Sequence, residues 1–324
     1  MRVIVVTRHG GPEVLELQEQ PDPEPGPGQL LVEVGAAGVN FRDIYEREGV
    51  GTYAAEPPIG AGAEGAGTVV AVGEGVHELR PGDRVAWSAA PGSYAEKVLV
   101  DEAKAVPVPD GVSTEVAAAA LLQGMTAQYL AVDTYPVKPG DDVLVHAAAG
   151  GVGLLLTQIV KLLGGRVIAT TSTEEKAELA RQAGADDVIG YDGFADRARE
   201  LSRNRGVAVV YDGVGQATFD ESLRALRPRG HMVLYGASSG QVAPVDPQRL
   251  HQLKSLYLTR PGLPHYTATR HELLARAAQV FGWIADRRLD VRIGARYPLA
   301  EARRAQEDLA ARRTTGKLIL QPSA

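Results

Sequence analysis

The chain has 324 residues, 44% of them hydrophobic and 23% charged, with a net charge of −6 and no cysteine. That length suits about two domains, and an acidic balance without runs of like charge leaves no footprint for nucleic acid. The missing cysteines exclude disulfides, thiol nucleophiles and thiolate metal sites, and no apolar run approaches the ~18 residues of a membrane-spanning helix.

In chain order, Met1–Thr7 is a short apolar run ended by Arg8 and His9. It reads as a first strand rather than a signal peptide, so the cytoplasm is the expected compartment. Pro21–Gly28 holds four prolines and two glycines in eight residues, which makes a stiff surface connection. Val3–Thr7, Gln29–Val34, Gly67–Val72 and Arg84–Trp87 are short apolar or alternating runs between glycine and proline clusters. Residues 1–123 therefore read as β-rich.

From about Met125 strands and helices alternate. Strands are expected at Asp141–His146, Arg166–Thr171, Asp187–Ile189, Val207–Tyr211 and His231–Tyr235. Helices are expected at Gly153–Leu163, Glu174–Ala183, Ala195–Ser202 and Phe219–Leu226, the last followed by the turn Pro228-Arg229-Gly230. This alternation implies a parallel, doubly wound sheet, and the nearly continuous Val, Ile and Leu of the strands fits a sheet covered on both faces. The tail changes texture again. His271–Ile284 and Leu299–Ala311 are helix-like, Val291–Tyr297 and Lys317–Leu320 strand-like, and the segment is expected to return and complete the first domain.

The most informative segment is Val143–Gly153, where a strand runs straight into Ala148-Ala149-Gly150-Gly151-Val152-Gly153 and an apolar helix. Against the pattern G-x-G-x-x-G the first glycine is alanine. Gly150 lets the backbone approach a pyrophosphate, Gly153 lets the helix pack on the strand, and the helix N-terminus favours the anion. A dinucleotide site is therefore expected over Gly150, Gly151, Val152 and Gly153.

The next strand ends Ala169-Thr170-Thr171-Ser172, without the acid that grips an NAD ribose about 20 residues beyond the glycines. Ser172, Lys176 and Tyr191 offer a hydroxyl, an ammonium and a phenol, which suit a 2′-phosphate and hence NADPH. Ser172-x-x-Glu175 also reads as a capping box, and Glu174 or Glu175 reaching the ribose would favour NADH instead. Asp212-Gly213-Val214-Gly215 and Gly236-Ala237-Ser238-Ser239-Gly240 follow later strands and are expected as walls of the cofactor site. The seven histidines show neither HxxxH nor HExxH spacing, and each is expected on the surface or in a turn.

Several segments together resemble the zinc-free, zeta-crystallin-like quinone oxidoreductases of the medium-chain dehydrogenase/reductase superfamily. They are Gly10–Leu15, Gly38–Asp43, Gly62–Gly67, Pro81–Val85, His146–Gly153, Tyr211–Gly215 and Thr259-Arg260-Pro261. The resemblance implies an α/β chain: a GroES-like β-rich catalytic domain (1–124 and 265–324) with a Rossmann NADP(H)-binding domain (125–264) inserted. It also implies a homodimer whose sheets pair along the edge near Ser255–Thr259. Zinc-dependent members of the superfamily carry a cysteine ligand where this chain has Asn40, and a histidine where it has Ala63. No metal ligands are therefore expected.

Without a Lewis acid, an electron-poor quinone can still accept a hydride if it is held against a nicotinamide and hydrogen bonds face the oxygen that gains charge. The resemblance points to Asn40, Asp43, Tyr45, Tyr53 and Arg260 around the acceptor, and to Phe41, Tyr129, Val214, Gly236, Ser238 and Arg312 as further cofactor contacts. Glu64 is expected to organise the floor of this site. The alternatives are an NADPH-dependent reductase of enones or enoyl thioesters, and a cofactor-binding RNA-binding or crystallin-like structural protein. The expected partners are a small quinone or enone and a second copy of the chain; membrane and nucleic acid are not expected.

Overall fold

The computed structural model describes residues 1–51 and 55–323. They divide into two compact units, Met1–Leu122 with Thr267–Ala324, and Gln123–Tyr266.

In the first unit, β1 (Arg2–Val6), β2 (Leu15–Glu19) and β4 (Ile59–Gly60) form a three-stranded sheet in the order β2-β1-β4. The larger sheet is built on β3 (Gln29–Val39), long enough to pair with three partners: β5 (Glu64–Val72), β7 (Lys97–Asp101) and β16 (Lys317–Gln321). It continues through β6 (Arg84–Trp87) to β8 (Val106–Pro107) on one side and to β15 (Ile293–Pro298) on the other. The tail thus enters the first unit's sheet directly, since β16 lies antiparallel to β3, with Leu318 opposite Val39. Trp87, Leu30, Val32, Val85 and Leu320 fill the core between these strands.

Helix α1 (Phe41–Glu48) starts where β3 ends. Asn40 and Asp43 close a capping box, and Gly49 at φ +69° ends the helix in the left-handed region. Helix α2 (Thr114–Tyr129) is apolar all round, as suits a buried helix. Both helices add to a stretch, residues 1–123, whose sequence reads as β-rich and gives neither of them. Helix α1 is short and buries charged residues, Asp43 and Arg47, beside Ile44, and helix α2 shows no polar-to-apolar stripe that sequence periodicity could pick out.

In the second unit, β9 (Asp142–Val145), β10 (Arg166–Thr170), β11 (Asp187–Ile189), β12 (Val207–Asp212), β13 (Leu226–Leu234) and β14 (Tyr257–Thr259) form one parallel sheet in the order β11-β10-β9-β12-β13-β14. This is the doubly wound order, whose strand order reverses beside β9. All six residues of β12 are buried, so the sheet is covered on both faces. Helices α3 (Gly151–Leu162), α4 (Glu174–Gln182), α5 (Phe194–Leu201), α6 (Phe219–Ala225) and the short α7 (Pro247–Gln252) connect the strands. The turn expected at Pro228-Arg229-Gly230 lies inside β13, where the pairing with β12 shifts register between Val207 and Val209. In the tail, α8 (Arg270–Ala285) and α9 (Ala302–Ala310) complete the helices. Among the described residues no helix is long and apolar enough to cross a membrane.

Candidate active site and cofactor cradle

The second unit carries the glycine turn. Strand β9 ends at Val145, and Ala147 takes φ +50°, a left-handed conformation that alanine adopts only under local constraint. Three hydrogen bonds supply that constraint. The Gly150 N–H closes the turn onto Ala147 O (2.9 Å), the Ala148 N–H reaches Thr170 O (3.2 Å), and the Ala147 N–H donates to the Tyr191 hydroxyl (3.1 Å). Gly150 caps α3 at φ −78° with no side chain to close the helix, so the first amides of α3 are left for an anion. A Cβ on Gly153 would fall 2.4 Å from Ala147 O and 2.7 Å from Ala148 Cα, and one on Gly151 would fall 1.9 Å from Gln123 Oε1. The expected positions Gly150, Gly151, Val152 and Gly153 therefore share one tight turn into the N-terminus of α3, whose first amides no side chain caps.

Beneath the cradle lies a polar network that sequence reasoning missed. Of the two places expected for a histidine, His146 takes the turn, directly after β9, and not the surface, since it is fully buried. Its Nδ1 lies 2.8 Å from Thr170 Oγ1 and its Nε2 2.9 Å from Ser222 Oγ. The Ser222 and Thr218 hydroxyls donate to Asp212 Oδ2, and Asp212 Oδ1 accepts the Val214 and Gly215 N–H groups at 2.8 and 2.9 Å. Because Ser222 donates to the carboxylate, it accepts from Nε2–H, which leaves Nδ1 to accept from Thr170. The ring is therefore the neutral Nε2–H tautomer. Burial lowers the His146 pKa, against the pull of the Asp212 charge. One chain of hydrogen bonds thus ties the ends of β9, β10 and β12 together under the glycine turn.

Val214 is buried in the turn that Asp212 organises. The Ser238 N–H donates to Gly213 O and the Ser239 N–H to Val214 O, while a Cβ on Gly236 would meet Gly213 O at 2.5 Å. The two expected wall segments are therefore zipped to each other, with Val214, Gly236 and Ser238 in one rim. Tyr129 is buried and stacks on Tyr266 with centroids 4.2 Å apart.

Thr173, not Ser172, caps α4, accepting from the Lys176 N–H at 3.3 Å. This corrects the expected Ser172 capping box. Ser172 is exposed one residue before the cap, and Lys176 is half-buried on the first turn. The Tyr191 ring stacks on His146 at 6.0 Å while its hydroxyl holds Ala147. Arg260 is exposed, with Nη1 3.4 Å from Pro261 O.

In the first unit, β3, β5 and β16 bring together a buried cluster of opposite charges. Lys317 Nζ donates to Glu64 Oε2 (2.5 Å) and to Asn40 Oδ1 (2.7 Å). Asn40 Nδ2 donates to Glu64 Oε2 (2.8 Å) and to Gly38 O (3.3 Å), and Glu64 Oε1 accepts the Leu122 N–H (2.7 Å). The Lys317 and Glu64 side chains are 1% and 0% exposed. Both Asn40 amide hydrogens are thus directed to partners within the chain, Glu64 and Gly38.

Asp43 is also buried. It accepts from the Asn40 N–H (2.8 Å) and the Tyr94 hydroxyl (2.7 Å). Burial raises its pKa, against the Arg42 charge and these two hydrogen bonds. Through Oδ2 it holds the start of α1, while its buried Oδ1 has no hydrogen-bond partner among the described residues. Phe41 and Tyr45 are half-buried on the same helix with centroids 6.4 Å apart. Tyr53 lies outside the described residues, and Arg312 is exposed at the turn after α9 with φ +56°.

Zinc does not fit the first-unit cluster. Its members are an amide, a carboxylate and an ammonium, and an ammonium in contact with the carboxylate fills the place of a cation. Among the described residues no group of three or more His, Asp or Glu is placed to hold a metal.

Comparison with known proteins finds a family match within each unit. The family model described as alcohol dehydrogenase GroES-like domain matches residues 26–110, and that described as zinc-binding dehydrogenase matches residues 151–278. A quinone oxidoreductase of Pseudomonas aeruginosa is 46% identical over 318 residues, 97% of each chain. A 2-haloacrylate reductase of a Burkholderia species is 40% identical and covers 99% of this chain and 98% of its own. A mycobacterial protein solved in complex with NADPH is 52% identical, covering 99% of this chain and all of its own, with a TM-score of 0.96.

Proposed function

The chain belongs to the quinone oxidoreductase family of GroES-like, Rossmann-type dehydrogenases, and on that premise we propose that it is a zinc-independent reductase of quinones that uses NADPH. The observation that carries the reading is likeness over nearly the whole length to a quinone oxidoreductase and to an NADPH complex.

The cradle gives the cofactor its place. The open amides of α3 meet the pyrophosphate, while Lys176, Ser172 and Tyr191 take the 2′-phosphate; β10 ends without a carboxylate at its tip, and Glu174 in the first turn of α4 is engaged by Arg181 (2.7 Å). Tyr129, Val214, Gly236, Ser238, Phe41 and Arg312 are proposed as its further contacts. The bound nicotinamide supplies a hydride from C4. Tyr45, Tyr53 and Arg260 are the proposed donors to the acceptor oxygen that gains negative charge.

The first-unit cluster supports the zinc-free half of the proposal. Lys317 neutralises Glu64 from within the fold, so the acceptor must be activated by conjugation and positioning rather than by a Lewis acid. Quinones meet that condition. Electron-poor alkenes meet it too, and the 2-haloacrylate reductase relative favours an α,β-unsaturated acceptor as the second reading. A cytoplasmic homodimer completes the proposal. Strand β14 is the sheet edge, paired on one side to β13, and Tyr257 on it is 56% exposed.

The deciding experiment follows anaerobic oxidation of NADPH and NADH with 1,4-benzoquinone, 9,10-phenanthrenequinone, 2-cyclohexenone and 2-chloroacrylate. Quinone turnover with NADPH preferred supports the reading. Turnover of the alkenes alone moves the function to the second reading, and failure to bind either nucleotide overturns both.

A further inference from the structure

A cleft of about 930 Å³ opens in the second unit at the amino-terminal ends of its strands. The glycine cradle follows the carboxyl end of β9, so the cleft lies at the opposite end of the sheet. Six of its eleven lining residues are cations (Lys138, Arg199, Arg205, Arg227, Arg229 and Lys254), and none is acidic. This concentration occurs in a chain whose net charge is −6.

Two of the six are balanced from outside the lining. Arg227 pairs with Asp141 (3.4 Å) and Arg205 with Asp142 (3.3 Å). Among the described residues Lys138, Arg199, Arg229 and Lys254 have no carboxylate within ion-pairing distance. Arg199 spends its guanidinium on the carbonyls of Leu226 and Asn204 (3.4 and 2.9 Å), which holds it beside the others.

The backbone places two of these cations at a cost. Arg229 has φ +60° and Lys254 φ +78°, and the Arg229 N–H donates to Lys254 O at 3.0 Å, joining the two turns. Glycine is the unstrained residue for such positions. Long cationic side chains there are what a ligand clamp requires, and strain of this kind collects at ligand clamps. The sequence Arg227-Pro228-Arg229-Gly230 thus has a use that the reductase reading does not absorb.

We propose that this cleft binds a small polyanion bearing two or more phosphoryl groups. Four unbalanced cations converging on one cleft repel one another until an anion of several charges sits between them. The cleft is the size of sites that enclose small molecules. The chain's acidic total disfavours a long polyanion, and the cations gather in a hollow rather than along a stripe.

The test is calorimetric titration of the full chain, saturated with NADP+ to fill the cradle, with inorganic tripolyphosphate. One tripolyphosphate bound per chain, weakened by added salt, is the expected result. In the Arg229→Gly/Lys254→Gly variant the affinity falls at least about tenfold, the Tm holds or rises, and the KM for NADPH is unchanged. Should that variant melt early, Lys138→Gln carries the same comparison without touching a strained turn. The proposal is overturned if millimolar tripolyphosphate does not bind while NADP+ is present, or if these substitutions leave its affinity unchanged. It is equally overturned if single-stranded oligonucleotides displace tripolyphosphate with an affinity that grows with length, since the cleft would then belong to a nucleic-acid surface.

Discussion

Replacing Lys317 by Met removes a buried ammonium and leaves the Glu64 carboxylate without its counter-charge. At 2.5 Å and an effective dielectric of about 20, the lost attraction is roughly 7 kcal/mol. Desolvation of both ions offsets most of it in the native pair. Truncating one partner of a buried pair nonetheless costs about 3–5 kcal/mol, because the remaining charge stays buried. Glu64 keeps two donors, Leu122 N–H and Asn40 Nδ2, so the lower end, about 3 kcal/mol, is expected. For a unit of this size that lowers Tm by roughly 6–12 °C. The double variant Glu64→Gln/Lys317→Met removes both charges. The oxygen of the introduced amide can still accept from the Leu122 N–H, and its nitrogen can donate to Asn40 once the Asn40 amide turns over. The double variant is expected to lie within about 1 kcal/mol of the wild type. Denaturant unfolding of the two single variants and the double variant closes the cycle. A loss below about 1 kcal/mol in Lys317→Met, or a double variant as unstable as the sum of the singles, would refute the reasoning.

Further expectations concern the second unit. Gly150→Ala meets nothing nearer than the backbone Ala147 O at 3.2 Å and sits at φ −78°, so the fold should survive with a Tm lowered far less than in Gly153→Ala, while NADPH affinity falls about tenfold or more. Gly153→Ala clashes with backbone at 2.4 Å and should instead lower Tm, since backbone cannot step aside as a side chain can. Lys176→Glu should raise the KM for NADPH about tenfold or more and leave that for NADH nearly unchanged, since only the former carries a 2′-phosphate. Burial holds the His146 pKa below its ordinary value of 6.5 in the folded state. The unfolded chain therefore binds a proton more readily, and the stability this group contributes is present above about pH 6.5 and lost as pH falls below it. Thermal melts from pH 7.5 to 5 should fall less steeply in His146→Gln than in the wild type.

The doubly wound half of the chain is legible because each of its signals is local. Val143–Val145 is apolar, a glycine turn follows without a spacer, and the strand pattern repeats through Val207–Val210. The first half resists such reading. Its strand β3 is eleven residues long and serves three partners, an arrangement set by long-range pairing that no local pattern encodes. Helix α1 is eight residues long, and helix α2 is too uniformly apolar to show a face.

His146 and Lys317 escape such reading for a different reason. A lone histidine and a lysine at the start of a strand are weak signals, and both are buried only because distant segments supply partners. Thr170 and Ser222 do so for the histidine, Glu64 and Asn40 for the lysine. A local trace of the lysine's place exists in Gly38. A Cβ there would meet Glu64 Oε2 at 2.5 Å and Lys317 Cε at 2.8 Å, so the ion pair occupies room that only glycine leaves.

That geometry gives Asn40 a meaning different from the one its position suggests. As the replacement of a lost metal ligand, Asn40 would turn its amide toward the acceptor. Its two amide hydrogens are instead directed inward, to Glu64 and Gly38, and its oxygen to Lys317. Loss of a metal ligand need not leave a vacancy that the substrate fills. Here the space holds a fixed cation from the final strand and a carboxylate that neutralises it. The first unit thereby holds a buried cluster whose charge is balanced within the chain, and on the proposed function an acceptor that cannot stabilise its own developing charge would find no Lewis acid there.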